Sequence, residues 1–279
     1  RHDLSALRIL GATADVERLS WGGRRVGLGV FPMGIDAARY AARGADPVVG
    51  EIARGFRPDP DVRMLVGIDR LDYSKGLPRR LLAFEKLLER HPELHGKIRL
   101  VQVAVPSRTE VEAYREFRQE IDAIIGRILG AFATPTWSPI HYLYRSISED
   151  ELVALYRAAD VMLVTPLRDG MNLVAKEFIA ARVDGDGVLV LSEFAGAAAE
   201  LAEAVHVNPY DIDETAASIH AALSMPEEER RTRMSGLRRR VFTYDVLHWV
   251  RAFLKRLTSP VEGDSPASSP RAIEDAAGR

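Results

Sequence analysis

The chain has no cysteine among its 279 residues. That excludes disulfides, thiolate-held zinc and thiol nucleophiles, and it suits a reducing compartment, the cytoplasm. An excess of charge of either sign is also missing. The 38 Lys and Arg against 40 Asp and Glu leave a formal net charge of -2, which gives no basic footprint for nucleic acid. No apolar run reaches the ~18 residues that a membrane-spanning helix needs. The opening Arg1-His2-Asp3-Leu4 has neither the apolar stretch nor the small-residue cleavage site of a signal peptide, and no initiator Met. The chain is therefore expected to be a piece of something longer or a processed product. Gly-x-Gly-x-x-Gly and the Walker phosphate loop are absent, which counts against a dehydrogenase and a P-loop enzyme. Ser-x-x-Lys, Gly-x-Ser-x-Gly and His-Glu-x-x-His are absent as well. No second His or carboxylate stands at ligand spacing around His141, so no protein-held metal is expected, and no cofactor.

What is present is a regular alternation of strands and helices. The spacing of apolar residues predicts strands over 64–68, 98–105, 140–144, 161–165, 188–192 and 205–207. Helices are predicted over 77–89, 109–129, 148–158, from Leu173 to Ala181 and near 198–204, with two or three more between Asp213 and Leu257. Thr109 with Glu112, and Ser148 with Glu151, are spaced as capping boxes. Such an alternation specifies an α/β fold: a Rossmann-like parallel sheet with helices on both faces. Before it, Leu4, Leu7 and Leu10 suggest a helix remnant, Arg24 to Phe31 a strand, and Asp36 to Gly55 a helix. Residues 1–57 read as the closing edge of another domain and a linker, 58–257 as the main domain, and 258–279 as a disordered tail.

Three loops on the ligand edge of that sheet carry polar chemistry. The first strand leads into Arg70-Leu71-Asp72-Tyr73-Ser74-Lys75-Gly76; a planar fork and a point charge suit a diphosphate, or are two solvated cations. The second leads into Pro106-Ser107-Arg108. On spacing alone Arg108 reads first as a helix-start cation paired with Glu110 or Glu112, and second as a contact for another anionic group. The fourth leads into Thr165-Pro166-Leu167-Arg168-Asp169-Gly170-Met171-Asn172-Leu173-Val174-Ala175-Lys176-Glu177. Here Gly170 lets a ligand come close to the backbone, and helix-start N–H groups offer an anion site. Asp169 precedes them, and Glu177 follows roughly 8 Å along the helix, at ~1.5 Å per residue. The convergence of Arg70, Lys75, Arg108, Asp169 and Glu177 on one edge suggests a ligand with a diphosphate, a sugar and a further phosphate.

These motifs, with Leu189-Val190-Leu191-Ser192-Glu193-Phe194-Ala195-Gly196-Ala197, closely resemble those of the trehalose-6-phosphate synthases, retaining glycosyltransferases of the two-domain GT-B architecture. The resemblance runs from about Arg24 to Leu257 and covers the C-terminal half of such an enzyme. It implies transfer of glucose from UDP-glucose to glucose 6-phosphate, giving α,α-trehalose 6-phosphate and UDP. It implies that Arg70 and Lys75 hold the diphosphate and that Asp169 with Gly170, Met171 and Asn172 holds the donor glucose. Leu173 and Val174 would complete the phosphate site through their N–H groups. Glu177 would take the ribose hydroxyls, Ile147 and Leu152 would flank the uracil, and Arg108 would reach the acceptor's phosphate. Arg70, Lys75 and Asp169 are the expected catalytic contacts. The partner implied is the missing N-terminal domain, which in the family carries most of the acceptor site; a homo-oligomer is left open. A donor with another base, a glucosylglycerol-phosphate synthase-like acceptor and a catalytically silent nucleotide-sugar module also stay open.

Overall fold

The computed structural model describes residues 13–14, 18–21, 24–108 and 110–259. The expectations for Leu4, Leu7 and Leu10, for the cap at Thr109 and for the tail beyond 259 lie outside the described residues. The chain forms two compact units, one of residues up to 31 with those from 250 onward, the other of Pro32–Trp249. In the first, β1 (Thr13–Ala14), β2 (Arg18–Trp21) and β3 (Arg24–Gly27) make an antiparallel sheet in that order. The strand expected to run to Phe31 stops at Gly27, where two glycines in three residues weaken the extended pattern.

The larger unit opens with two helices where one was expected. Helix α1 (Ala37–Ala45) ends before Asp46, and α2 (Pro47–Phe56) starts at Pro47. The residue before a proline avoids helical backbone, and Asp46 accordingly has ψ 126°. Its carboxylate accepts from the Val48 N–H at 2.9 Å and caps the second helix. Pro47 then occupies a first-turn position, where its missing N–H costs nothing.

The alternation follows as read. It runs β4 (Arg63–Arg70), α3 (Leu77–Arg90), β5 (Ile98–Val105), α4 (Glu112–Phe132), β6 (Ile140–Leu143), α5 (Glu149–Ala158) and β7 (Val161–Val164). It continues through α6 (Leu173–Ala181), β8 (Val188–Ser192), β9 (Val205–Val207), α7 (Ile212–Ser224), α8 (Glu227–Thr243) and α9 (Val246–Thr258). The helix expected near Ala198 to Ala204 is only a 3-10 turn, Gly196–Ala199. Ser148 and Glu151 form the capping box that their spacing predicts.

All six strands of the sheet pair in parallel, in the order β6-β5-β4-β7-β8-β9. Successive β4 side chains serve opposite faces. Met64, Val66 and Ile68 join the cluster formed with α1, α2, α5 and α6, whereas Leu65 joins the one formed with α3, α4 and α7. With both faces covered, the strand is buried from Met64 to Asp69, which is why it reads as an unbroken apolar run. From β4 the chain builds outward to β6, then returns to the far side of β4 as β7. The loops that leave β4 and β7 therefore part in opposite directions, and a crevice opens between their carboxyl ends. Ligands of open α/β sheets bind at this reversal of strand order. Among the described residues no helix is long and apolar enough to cross a membrane.

Candidate functional site

The crevice brings the two principal motifs together. Asp72 accepts from the Ser74 N–H at 2.9 Å and starts the 3-10 turn Tyr73–Lys75. That turn presents Lys75 to the loop after β7, where its Nζ lies 2.7 Å from Asp169 Oδ2. Main-chain bonds from Leu167 N and Arg168 N to the Ser74 carbonyl, 2.8 and 3.3 Å, hold the two loops side by side. Gly76 closes the turn with φ 70°, and an added Cβ would stand 2.5 Å from the Thr165 carbonyl oxygen. Both demands select glycine.

Asp169 is held from several directions. Its N–H donates to the Phe194 carbonyl at 3.2 Å, and its own carbonyl accepts from Gly196 N at 3.0 Å. Its side chain accepts from Met171 N at 3.3 Å and from Asn172 Nδ2 at 3.2 Å. Burial pushes the Asp169 carboxyl up, but the hydrogen bond and charge of Lys75, with the bonds from Met171 and Asn172, outweigh it and leave the pKa below its ordinary value. The group is an anion that both orients Lys75 and is oriented by it. Lys75 has three N–H donors, so the contact with Asp169 leaves two for other oxygens.

Asn172 caps α6. Its Oδ1 accepts from Ala175 N at 3.0 Å, and its backbone adopts φ 86°, a conformation that non-glycine residues rarely hold. That kink sets the helix start at the crevice. The N–H groups of Leu173 and Val174 fall in the first turn, where a helix supplies no acceptor of its own. Gly170 is open around its Cα, with nothing within 4 Å of where a Cβ would stand. The steric demand for glycine falls instead on Gly196, where a Cβ would overlap the Gly170 carbonyl oxygen.

Arg70, the last residue of β4, is exposed, and its guanidinium has no polar partner among the described residues. Arg108 is exposed with φ 50°, and its Nη1 donates to the Tyr114 hydroxyl at 2.6 Å. That hydroxyl donates in turn to Asp72 Oδ2 at 3.2 Å, which ties Arg108 back to the Lys75 turn. The carboxylate pairing that spacing favoured gives way to this tyrosine contact. Ile147 and Leu152 are half-buried beside the apolar cluster at the start of α5.

Glu177 stands one turn into α6 and is half-buried. Tyr156 of α5, fully buried, donates its hydroxyl to Glu177 Oε2 at 2.8 Å. Burial, and then the charge of Glu177, pushes the phenol up. The Tyr40 phenol of α1 is pushed up for the same two reasons, burial first and then the charge of Glu177. Sequence reading missed both tyrosines, because nothing local links them to Glu177.

It also missed Arg80, buried below the crevice. Arg80 Nη1 donates to Asp69 Oδ2 at 2.5 Å and to Gln102 Oε1 at 3.1 Å, and Nε donates to Thr165 Oγ1 at 2.9 Å. One guanidinium thus joins the middle of β5 and the end of β4 to the residue that follows β7. The available signal was an arginine on the apolar face of α3, between Leu77, Leu81 and Phe84. Away from the crevice, His91, Glu93 and His220 bring ligand atoms within 4.8 Å of one another, a grouping that local spacing around His141 does not reveal. Their imidazoles, however, stack at 3.8 Å with an interplanar angle of 8°. Two parallel rings share no in-plane point from which one ion could be bound, so the trio is a stacking contact as it stands.

The comparisons with known proteins give the family. The model of glycosyltransferase family 20 matches residues 1–259. The chain belongs to glycosyltransferase family 20. Among its relatives in that family, a bifunctional trehalose-6-phosphate synthase/phosphatase of Thermoproteus tenax is 47% identical over 91% of this chain and 35% of its own length. The UDP-forming alpha,alpha-trehalose-phosphate synthase of Schizosaccharomyces pombe is 45% identical over 92% of this chain and 50% of its own. The chain therefore spans about half or less of these curated relatives. A structure described as trehalose-6-phosphate from E. coli bound with UDP-2-fluoro glucose superposes with a TM-score of 0.85 and 40% identity, covering 93% of this chain and 59% of that one. The Burkholderia xenovorans synthase in complex with glucose-6-phosphate gives 0.87 and 38%, covering 91% and 57%. The family 20 fold is the expected α/β sheet of the GT-B glycosyltransferases.

Proposed function

We propose that this chain supplies the donor-binding half of a trehalose-6-phosphate synthase, which moves glucose from UDP-glucose to glucose 6-phosphate with retention and releases UDP. The observation that carries the reading is the Lys75–Asp169 pair at the reversal of strand order, with Arg70, unpartnered among the described residues, at the end of β4 and the first turn of α6 following Asp169. Breaking the glycosidic bond to a diphosphate builds positive charge on the sugar and negative charge on the leaving group. Arg70, the two remaining donors of Lys75 and the N–H groups of Leu173 and Val174 meet that negative charge. Fixed donors of this kind stabilise a developing anion by ~3 kcal/mol each. Asp169, with the backbone of Gly170, Met171 and Asn172, orients the donor sugar. Glu177, braced by Tyr156, takes the ribose hydroxyls, and Ile147 and Leu152 flank the base. Arg108 faces the acceptor's phosphate. The acceptor site is completed by an N-terminal domain, and the reaction is placed in the cytoplasm.

The test is calorimetric titration of UDP and UDP-glucose into the chain and into Arg70→Ala and Glu177→Ala. Each variant is expected to lose at least tenfold in affinity, about 1.4 kcal/mol. Equal affinities in all three would overturn the assignment.

A further inference from the structure

We infer that the chain has a second anion site, at the amino edge of the sheet, which binds a phosphate dianion between Arg54, Arg57 and Arg157. A cavity of about 510 Å³ lies there, lined by these three arginines with Pro47, Gly50 and Glu51 among its walls. Its position is set by the topology. Arg54 is on α2, Arg57 follows it in the segment that enters β4, and Arg157 is on the last turn of α5, just before β7. These are the amino ends of the two strands whose carboxyl ends form the donor crevice. At ~3.3 Å per residue, the eight residues of β4 separate the two regions by about 25 Å. The cavity is thus not an extension of the donor site.

Its chemistry favours an anion. Arg157 Nη1 and Arg54 Nη1 lie 3.6 and 4.0 Å from the place where a Cβ on Gly50 would stand, so two guanidiniums flank one backbone point that carries no side chain. Three cations line the cavity against one carboxylate, Glu51, which approaches Arg54 only at 3.9 Å. Asp160 engages Arg57 Nη1 at 3.2 Å, and the Pro60 carbonyl accepts from its Nη2 at 2.8 Å. Arg57 Nε is nevertheless buried with no hydrogen-bond partner among the described residues, and such a donor is costly to leave unmatched. Arg157 is already oriented, since its Nη1 donates to the Gly44 carbonyl at 2.5 Å. A guanidinium fork is matched geometrically by a phosphate.

The donor crevice also takes phosphate under the function proposed above, so the test is run with that site weakened. Inorganic phosphate is titrated at constant ionic strength into Arg70→Ala, and into Arg70→Ala carrying Arg54→Ala or Gly50→Glu. The Arg54 side chain is 75% exposed, and a Cβ at Gly50 meets only ordinary contacts, so both second changes leave the core intact; a thermal melt verifies this. Gly50→Glu removes no arginine but puts a carboxylate where the anion is inferred to sit. Arg70→Ala is expected to retain phosphate binding, and each second change to weaken it at least tenfold. Binding abolished by Arg70→Ala alone, or unaltered by either second change, overturns the site.

Discussion

At the scale of single residues, the donor crevice depends on a lysine and an aspartate that define each other. The Asp169 pKa lies below the ordinary 3.8, so its folded form gives up the proton more readily than its unfolded form. A depressed carboxyl contributes stability above the unfolded value and loses that contribution as acid protonates it. Lys75→Met is therefore expected to lower stability by ~1–2 kcal/mol near pH 7, the range for a charged hydrogen bond that is not fully buried. The deficit should hold down to about pH 4 and then shrink as the pH falls further. Urea midpoints at several pH values measure this, and a deficit independent of pH would contradict it. Lys75, Asp169 and Glu177 were legible because each sits at fixed spacing in a dense motif. Tyr156 was not, because a hydroxyl that reaches Glu177 from another helix leaves no local trace. Arg108 was legible as a cation but not in its contact, since spacing offered two carboxylates and the fold supplied a tyrosine.

At the scale of elements, caps and turns decide where the loops stand. The Ser148–Glu151 box could be read directly, because both partners lie within one helical turn. The break between α1 and α2 was readable in principle from Asp46-Pro47, yet the apolar spacing continued across it and suggested one helix. Gly76 makes the strictest local demand. It combines a left-handed φ of 70° with a backbone oxygen 2.5 Å from any added Cβ. Gly76→Ala is expected to cost ~1–3 kcal/mol, the range for backbone strain. It is also expected to move Lys75 away from Asp169, and so to weaken UDP binding along with stability. Melting and calorimetry on one preparation test both; a variant that binds as well as the parent would show that the turn tolerates a side chain.

At the scale of the molecule, the parallel class of the sheet followed from the alternation of strands and helices, but the strand order did not. Pairing of β4 with both β5 and β7 is a tertiary fact, and the buried Arg80 secures it by touching Asp69, Gln102 and Thr165. Arg80→Met leaves the Asp69 carboxylate buried without its partner cation, a change that costs about 3–5 kcal/mol. In a domain of this size that corresponds to a fall of roughly 10 °C in Tm, measurable by circular dichroism. A shift of only a degree or two would show that the network is redundant. The reversal beside β4 also has a temporal consequence. β4 meets β5 across one helix, but it meets β7 only after β5, β6 and three helices have been made. Closing a long loop is slow, and contacts between distant parts of a chain form late. Arg70 and Lys75 therefore emerge from the ribosome well before Asp169 and Glu177. Under the proposed function, the capacity to hold a nucleotide sugar arrives only once β7 has paired with β4, so nucleotide binding would report that this pairing has formed.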